Sequence, residues 1–217
     1  MCCAFRAKGH EAYSCDIVDC SGGHPEWHIK QDVLPLLNGD CEFKTCDGVE
    51  HDIKGQWDMI IAHPPCTFLT NAATRAFSLK AMPAEKVVKR WDDRARAAVF
   101  FMHFALANCD KIAIENPVGY MSTAYRKPDQ IINPYQFAES EQDSENYVTK
   151  RTCLWLEGLP KLKTNDLPKP KLEKHFSKYT NGYKSKTWCE YSHFSARNVE
   201  RSKTFPAIAK AMAEQWG

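Results

Sequence analysis

Two rhythms of apolar and polar positions run through the middle of this chain. Val87, Trp91, Ala95, Val99 and Met102 recur at three- and four-residue steps, which predicts a long helix over 84–107 with one buried face. On either side lie short apolar runs of strand type, Trp57-Asp58-Met59-Ile60-Ile61-Ala62 and Lys111-Ile112-Ala113-Ile114-Glu115. The first run stops at Pro64-Pro65, because proline fixes φ and removes a backbone donor, and Cys66 falls on the turn that follows. The second stops at Asn116-Pro117. A strand–helix–strand unit of this kind is expected to be parallel and right-handed. Cys66 and Glu115 then project from the carboxyl ends of neighbouring strands, where open α/β sheets bind their ligands.

The flanking pattern extends the α/β expectation. Residues 3–8 read as the end of a helix with Gly9 as its cap, and Ala12 to Ile17 as a strand ending near Asp16. His28 to Val33 reads as another short strand with Asp32 at its exit, after a turn-rich loop from Cys20 to Pro25. Glycines among polar residues make 38–56 read as irregular, and 67–83 as a loop carrying Phe68 and Phe77. Val118 to Gln136 reads as a loop with a short helix, Thr149 to Leu156 as a strand with Lys150 and Arg151 at its start, and Pro206 to Trp216 as a final helix carrying Ile208, Met212 and Trp216.

Composition narrows the class without changing it. The chain has 217 residues, 43% hydrophobic and 26% charged, which suits a globular protein of one α/β domain with a small appendage. No apolar run approaches the ~20 residues that span a bilayer. Met1 to Arg6 lacks the apolar core of a signal peptide, so a cytoplasmic setting with ten reduced cysteines is expected. The net charge is only +2, yet 161–203 holds eleven Lys/Arg against four Asp/Glu, with His175, Phe176, Tyr179, Tyr183, Trp188, Tyr191 and Phe194 among them. A basic, aromatic-rich segment suits a polyanionic partner, and a solvated lysine-rich loop is the plainer alternative. Cys15, Cys20, His24 and His28 match no standard zinc spacing, and Cys41 and Cys46 are too widely spaced for a CxxC knuckle, so no metal is expected. Cys66 reads either as a nucleophile on a rigid turn or as one more packed thiol.

Taken in order, a strand to Asp16, a strand to Asp32, a strand to Pro64-Pro65-Cys66, a strand to Glu115-Asn116-Pro117 and then Lys150-Arg151-Thr152, the motifs resemble those of the DNA cytosine C5-methyltransferases, in particular the short forms of phages and prophages. The resemblance implies a Rossmann-like class I methyltransferase sheet with helices on both faces, plus a small basic recognition insert. It divides the chain into a catalytic core over 1–160, a DNA-recognition segment over 161–203, and a helix over 204–217 that returns to the core. Cys66 would add to C6 of a flipped-out cytosine, Glu115 would support N3, Asn116 would position the turn, and Arg151 would hold O2. S-adenosylmethionine is the implied cofactor, with Asp16 on its ribose, Asp32 on its adenine, and Ile17 and Pro64 lining the pocket. Double-stranded DNA is the implied partner, met by Pro65, Thr67, Lys150, Lys184, Lys186, Arg197, Arg201 and Lys203.

The departures from that family are also plain. The family opens with a strand and a glycine-rich loop around the methionine end of the cofactor, and the run Cys2 to Gly9 resembles the helix after that loop, so both are expected to be missing here. The family's Gln-x-Arg-x-Arg motif is reduced to Lys150-Arg151, with Tyr147 and Thr149 in the earlier places. A nucleic-acid-binding or counter-defence protein that kept the fold without the chemistry is therefore a second expectation. An amino-group methyltransferase ranks last, because His63-Pro64-Pro65-Cys66 lacks both the polar start and the aromatic end of that family's turn.

Overall fold

The computed structural model describes residues 1–171, 174–176, 186–188 and 204–217, the two three-residue stretches by backbone alone. The fold is α/β, with mixed sheets and several helices, and the chain divides into two compact units.

The larger unit comprises 2–131 and 152–161. It opens with a short helix, α1 (Cys2–Arg6), which buries Phe5. Strands β1 (Ser14–Asp16) and β2 (His28–Lys30) follow and pair in parallel, Cys15 opposite Ile29. His28 is buried at their start with both ring nitrogens engaged, Nδ1 by the Ser14 hydroxyl at 3.0 Å and Nε2 by the Val18 carbonyl at 2.9 Å. The stretch 38–56, read above as irregular, contains an antiparallel hairpin of β3 (Cys41–Lys44) and β4 (Glu50–Ile53). Its signal is faint because only one face of β3 is apolar. Cys41 and Phe43 turn inward to pack with Ile29 and Leu36, while Glu42 and Lys44 face out.

The unit's main sheet has the order β5-β6-β8-β7, formed by β5 (Ile60–Ala62), β6 (Ile112–Pro117), β8 (Thr152–Glu157) and β7 (Gln130–Ile132), whose first two residues lie in this unit. β5 and β6 are parallel, as the strand–helix–strand pattern predicts, and β8 runs antiparallel to β6 with Leu154 opposite Glu115. The long helix α2 (Ala84–Ala105) connects β5 to β6, and the short α3 (Met121–Ala124) follows β6.

The buried face of α2 is not the one that its spacing suggests. Val87, Arg94, Phe101 and Phe104 are buried, whereas Trp91 is 46% and Val99 59% exposed. Apolar residues occupy more than one side of this helix, so periodicity alone admits two solutions. Packing selects the one led by Phe101, whose ring meets Trp155 of β8 edge-to-face at 5.2 Å. Around this pair Ile112, Ile114, Leu69, Met121 and Cys153 complete the core.

The smaller unit comprises Met1, 132–151 and 162–217. Its last helix, α4 (Pro206–Trp216), falls where the sequence predicts and buries Ile208, Met212 and Trp216. Pro206 occupies the first turn, where its missing N–H costs nothing, and the next free donor, Ala207 N–H, is taken by Asn146 Oδ1 at 3.1 Å. Gln215 exchanges two hydrogen bonds with the backbone of Lys163, tying the incoming chain to the helix's far end. Strands β9 (Lys174–Phe176) and β10 (Lys186–Trp188) pair antiparallel. Among the described residues no helix is long and apolar enough to cross a membrane.

Candidate active site at the ends of β5 and β6

The parallel register of β5 and β6 aligns Ala62 with Ile114. One residue further along each strand stand His63 and Glu115, and one beyond those Pro64 and Asn116. Two contacts join the loops at this point. His63 Nδ1 lies 3.0 Å from Glu115 Oε2, both side chains being partly open to solvent. Asn116, buried to 2% exposure, donates from Nδ2 to the Pro64 carbonyl at 2.8 Å. That acceptor matters because the residue after it is another proline, so the turn has few donors of its own and depends on a side chain from the neighbouring strand.

Cys66 follows two residues later and is exposed. Its carbonyl receives the backbone N–H groups of Leu69 and Thr70, both at 2.9 Å, so the turn closes tightly after the thiol. Thr67 lies inside this turn, and Pro65 precedes it on the exposed side. The loop then meets the exit of β6. Thr70 bridges Gly119, and the Tyr120 N–H donates to the Leu69 carbonyl at 2.7 Å. A Cβ on Gly119 would stand 2.0 Å from that carbonyl oxygen, so only glycine permits this approach.

A second group of expected residues lies at the ends of β1 and β2. Asp16 closes β1 and accepts the Val18 N–H at 3.3 Å, and Ile17 beside it is 73% exposed. Asp32 stands beyond β2 and accepts the Leu34 N–H at 3.1 Å. Between them Cys15 donates its thiol to the Gln31 carbonyl. Burial pushes that thiol up to about 11, with the Asp16 and Asp32 charges adding to the effect. Both carboxylates thus flank one point at the carboxyl end of a parallel strand pair.

The remaining expected residues fall elsewhere. Lys150 and Arg151 belong to the smaller unit, where Lys150 Nζ sits 5.4 Å from the Phe205 ring centre. Thr152, which follows them, opens β8 opposite Pro117. Lys186 lies on β10, described by backbone alone, and Lys184, Arg197, Arg201 and Lys203 lie outside the described residues. Among the described residues no group of three or more His, Cys, Asp or Glu side chains is arranged to hold a metal ion.

His63 is the residue that motif order does not single out. Its signal is positional: it directly precedes Pro64-Pro65, as Glu115 directly precedes Asn116-Pro117, and the parallel pairing makes the two neighbours. Comparison with protein-family models, curated proteins and solved structures finds no match to this chain.

Proposed function

We propose that this protein modifies C5 of cytosine in DNA, with Cys66 as the nucleophile and Glu115 as the group that supports the ring. The observation that carries the reading is the pair of contacts between the β5 and β6 loops, His63 to Glu115 and Asn116 to Pro64, which joins a cysteine turn to a carboxyl group across adjacent parallel strands. On this reading the parallel pairs β1–β2 and β5–β6, which form two separate sheets here, take the places of the strands of a doubly wound, Rossmann-like methyltransferase sheet, and double-stranded DNA is the partner.

The chemistry assigns each side chain a task. The Cys66 thiolate adds to C6, the new S–C bond drawing the ring electrons towards C5 and N3. Glu115, as the carboxylic acid, gives its proton to N3 as that nitrogen gains charge. His63 keeps the carboxyl in the plane of its approach, and Asn116 holds the turn that presents the thiol. Once C5 carries its new group, a base takes the C5 proton, the C5–H electron pair re-forms the C5=C6 bond as the thiolate leaves C6, and N3 returns its proton to Glu115.

S-adenosylmethionine supplies, when bound, an electrophilic methyl carbon. The donor set at β1 and β2 fits its nucleoside half: two carboxylates for ribose hydroxyls and an adenine amino group, with an exposed isoleucine for the purine face.

A duplex containing 5-fluorocytosine, incubated with the protein and S-adenosylmethionine, is expected to give a covalent adduct resolved on a denaturing gel. Cys66→Ser abolishes it and Glu115→Gln lowers its rate by at least 100-fold, a typical contribution of positioned acid–base groups. DNA binding without any adduct would instead establish a binding protein that does no chemistry, and an adduct surviving Cys66→Ser would remove the thiol from the mechanism.

A further inference from the structure

Beside the Cys66 turn two arginines sit one helical turn apart on α2, with no acidic partner among the described residues. Arg94 is buried to 7% exposure. Its Nε donates to the carbonyl of Phe68 at 2.8 Å, two residues past Cys66. Its guanidinium lies 3.4 Å from the centre of the Phe77 ring, 4.8 Å from Tyr120 and 5.1 Å from Trp91. Arg90 stacks over Phe68 and Phe77 at 5.2 and 5.1 Å, and its Nε is buried with no hydrogen-bond partner. Among the described residues no carboxylate forms an ion pair with either arginine and no acceptor meets their terminal nitrogens. The nearby Asp93 is committed to Arg96, at 2.7 Å.

Such an arrangement is costly for folding alone. Buried charges are ordinarily paired, and like charges at i and i+4 oppose helix formation. Burial and the neighbouring Arg90 charge both push the Arg94 pKa down, against the pull of Tyr120. Aromatic faces offset part of this cost, since guanidinium groups stack on them, but stacking leaves the edge of the fork with donors to spare. An anion fits those donors, and bidentate N–H···O bonds to phosphate are the strongest match for that geometry.

We infer that Arg90 and Arg94 form a seat for one backbone phosphodiester of the nucleic acid strand whose base reaches Cys66. This rests on the reading of Cys66 as a base-modifying nucleophile. Arg94 grips the loop two residues beyond that thiol, so a strand that delivers a base to Cys66 must carry its backbone past this helix. Phosphate contacts of this kind fix register and carry no sequence information. The seat therefore serves every duplex equally and sets where along the strand a base can enter.

The test is DNA affinity by fluorescence anisotropy as a function of salt, with wild type, Arg90→Gln and Arg90→Lys, on duplexes with and without cytosine. Arg90 is less buried than Arg94, and Arg90→Lys keeps the charge if the glutamine variant folds poorly. The expected result is a threefold to tenfold loss of affinity in Arg90→Gln on both duplexes, with the slope of log K against log salt reduced by about 1. Arg90→Lys is expected to keep the slope. In parallel, the Arg94 Nε–Hε resonance of the wild-type protein should shift on adding the oligonucleotide. An unchanged slope in Arg90→Gln overturns the seat, as does an Arg94 resonance that answers to inorganic phosphate and not to the oligonucleotide. The two readings separate cleanly. Adduct formation with an unchanged slope removes the seat alone, a reduced slope without any adduct removes the chemistry alone, and a wild-type protein that binds no DNA removes both.

Discussion

On the proposed function, a carboxyl group that meets a pyrimidine edge-on must be held in one plane, and that task is assigned to His63. The imidazole sits 3.0 Å from Glu115 Oε2, and a hydrogen bond is worth about 0.5–1.5 kcal/mol between neutral partners and about 1.5–3 kcal/mol to a charged one. His63→Ala is therefore expected to slow adduct formation by about 10- to 100-fold with little change in DNA affinity, and His63→Gln, which keeps a donor, to recover part of the loss. Single-turnover rates on the fluorinated duplex make the comparison. Cys15 offers a different test at the same scale. Its thiol is raised from 9.0 to about 11, so the folded state favours the protonated form. The stability this contributes is complete below the ordinary thiol pKa and is lost as pH climbs through the window from 9 to 11. Urea midpoints of wild type and Cys15→Ala are expected to differ most near neutrality and to converge over that window. Alkylation at pH 8 followed by mass spectrometry should spare Cys15 in the folded protein.

Among the elements, the exits of β5 and β6 behave as one piece, because Gly119 lets the β6 loop lie directly on Leu69 and Thr70. Gly119→Ala places a methyl group 2.0 Å from a backbone oxygen that cannot swing away, so the two loops must separate. The expected result is a fold that persists by circular dichroism and an adduct rate reduced by at least tenfold. Elements of this kind show what the sequence does and does not declare. The parallel β5–α2–β6 unit is legible because Pro64-Pro65 and Asn116-Pro117 end its strands and a long periodic segment lies between them, and α4 is legible because Pro206 opens it. The hairpin of β3 and β4 is not, since its pairing depends on Phe43 and Cys41 meeting Ile29 and Leu36, partners fixed only by tertiary packing. The inner face of α2 is hidden for a related reason: a buried Arg94 breaks the apolar pattern, while Trp91 and Val99 imitate it on the outside. The candidate site divides in the same way. Cys66, Glu115 and Asn116 stand out as punctuation after strands, whereas His63 and the Arg90–Arg94 pair gain meaning only from what lies beside them in space.

For the molecule as a whole, net charge is a poor guide to its partner. A formal +2 is spread so that 161–203 carries eleven basic residues against four acidic ones. If that segment tracks phosphates, replacing Lys184 and Lys186 together by glutamine should lower the salt slope of DNA binding by nearly 2, equally for all sequences, with the chemical step unchanged once DNA is saturating. The way the candidate site is closed has a further consequence, for how the chain folds. Asn116 and Pro64 are 52 residues apart in sequence, and the 22 residues of α2 lie within that interval. Helices form from neighbours within about a microsecond, but parallel strands must first bear the entropy of closing a long loop. The helix can thus exist while the geometry of the candidate site does not. A nascent or partly denatured molecule is expected to show helical structure before Cys66 has a turn to stand on, so that the candidate site is completed only when the long loop is closed.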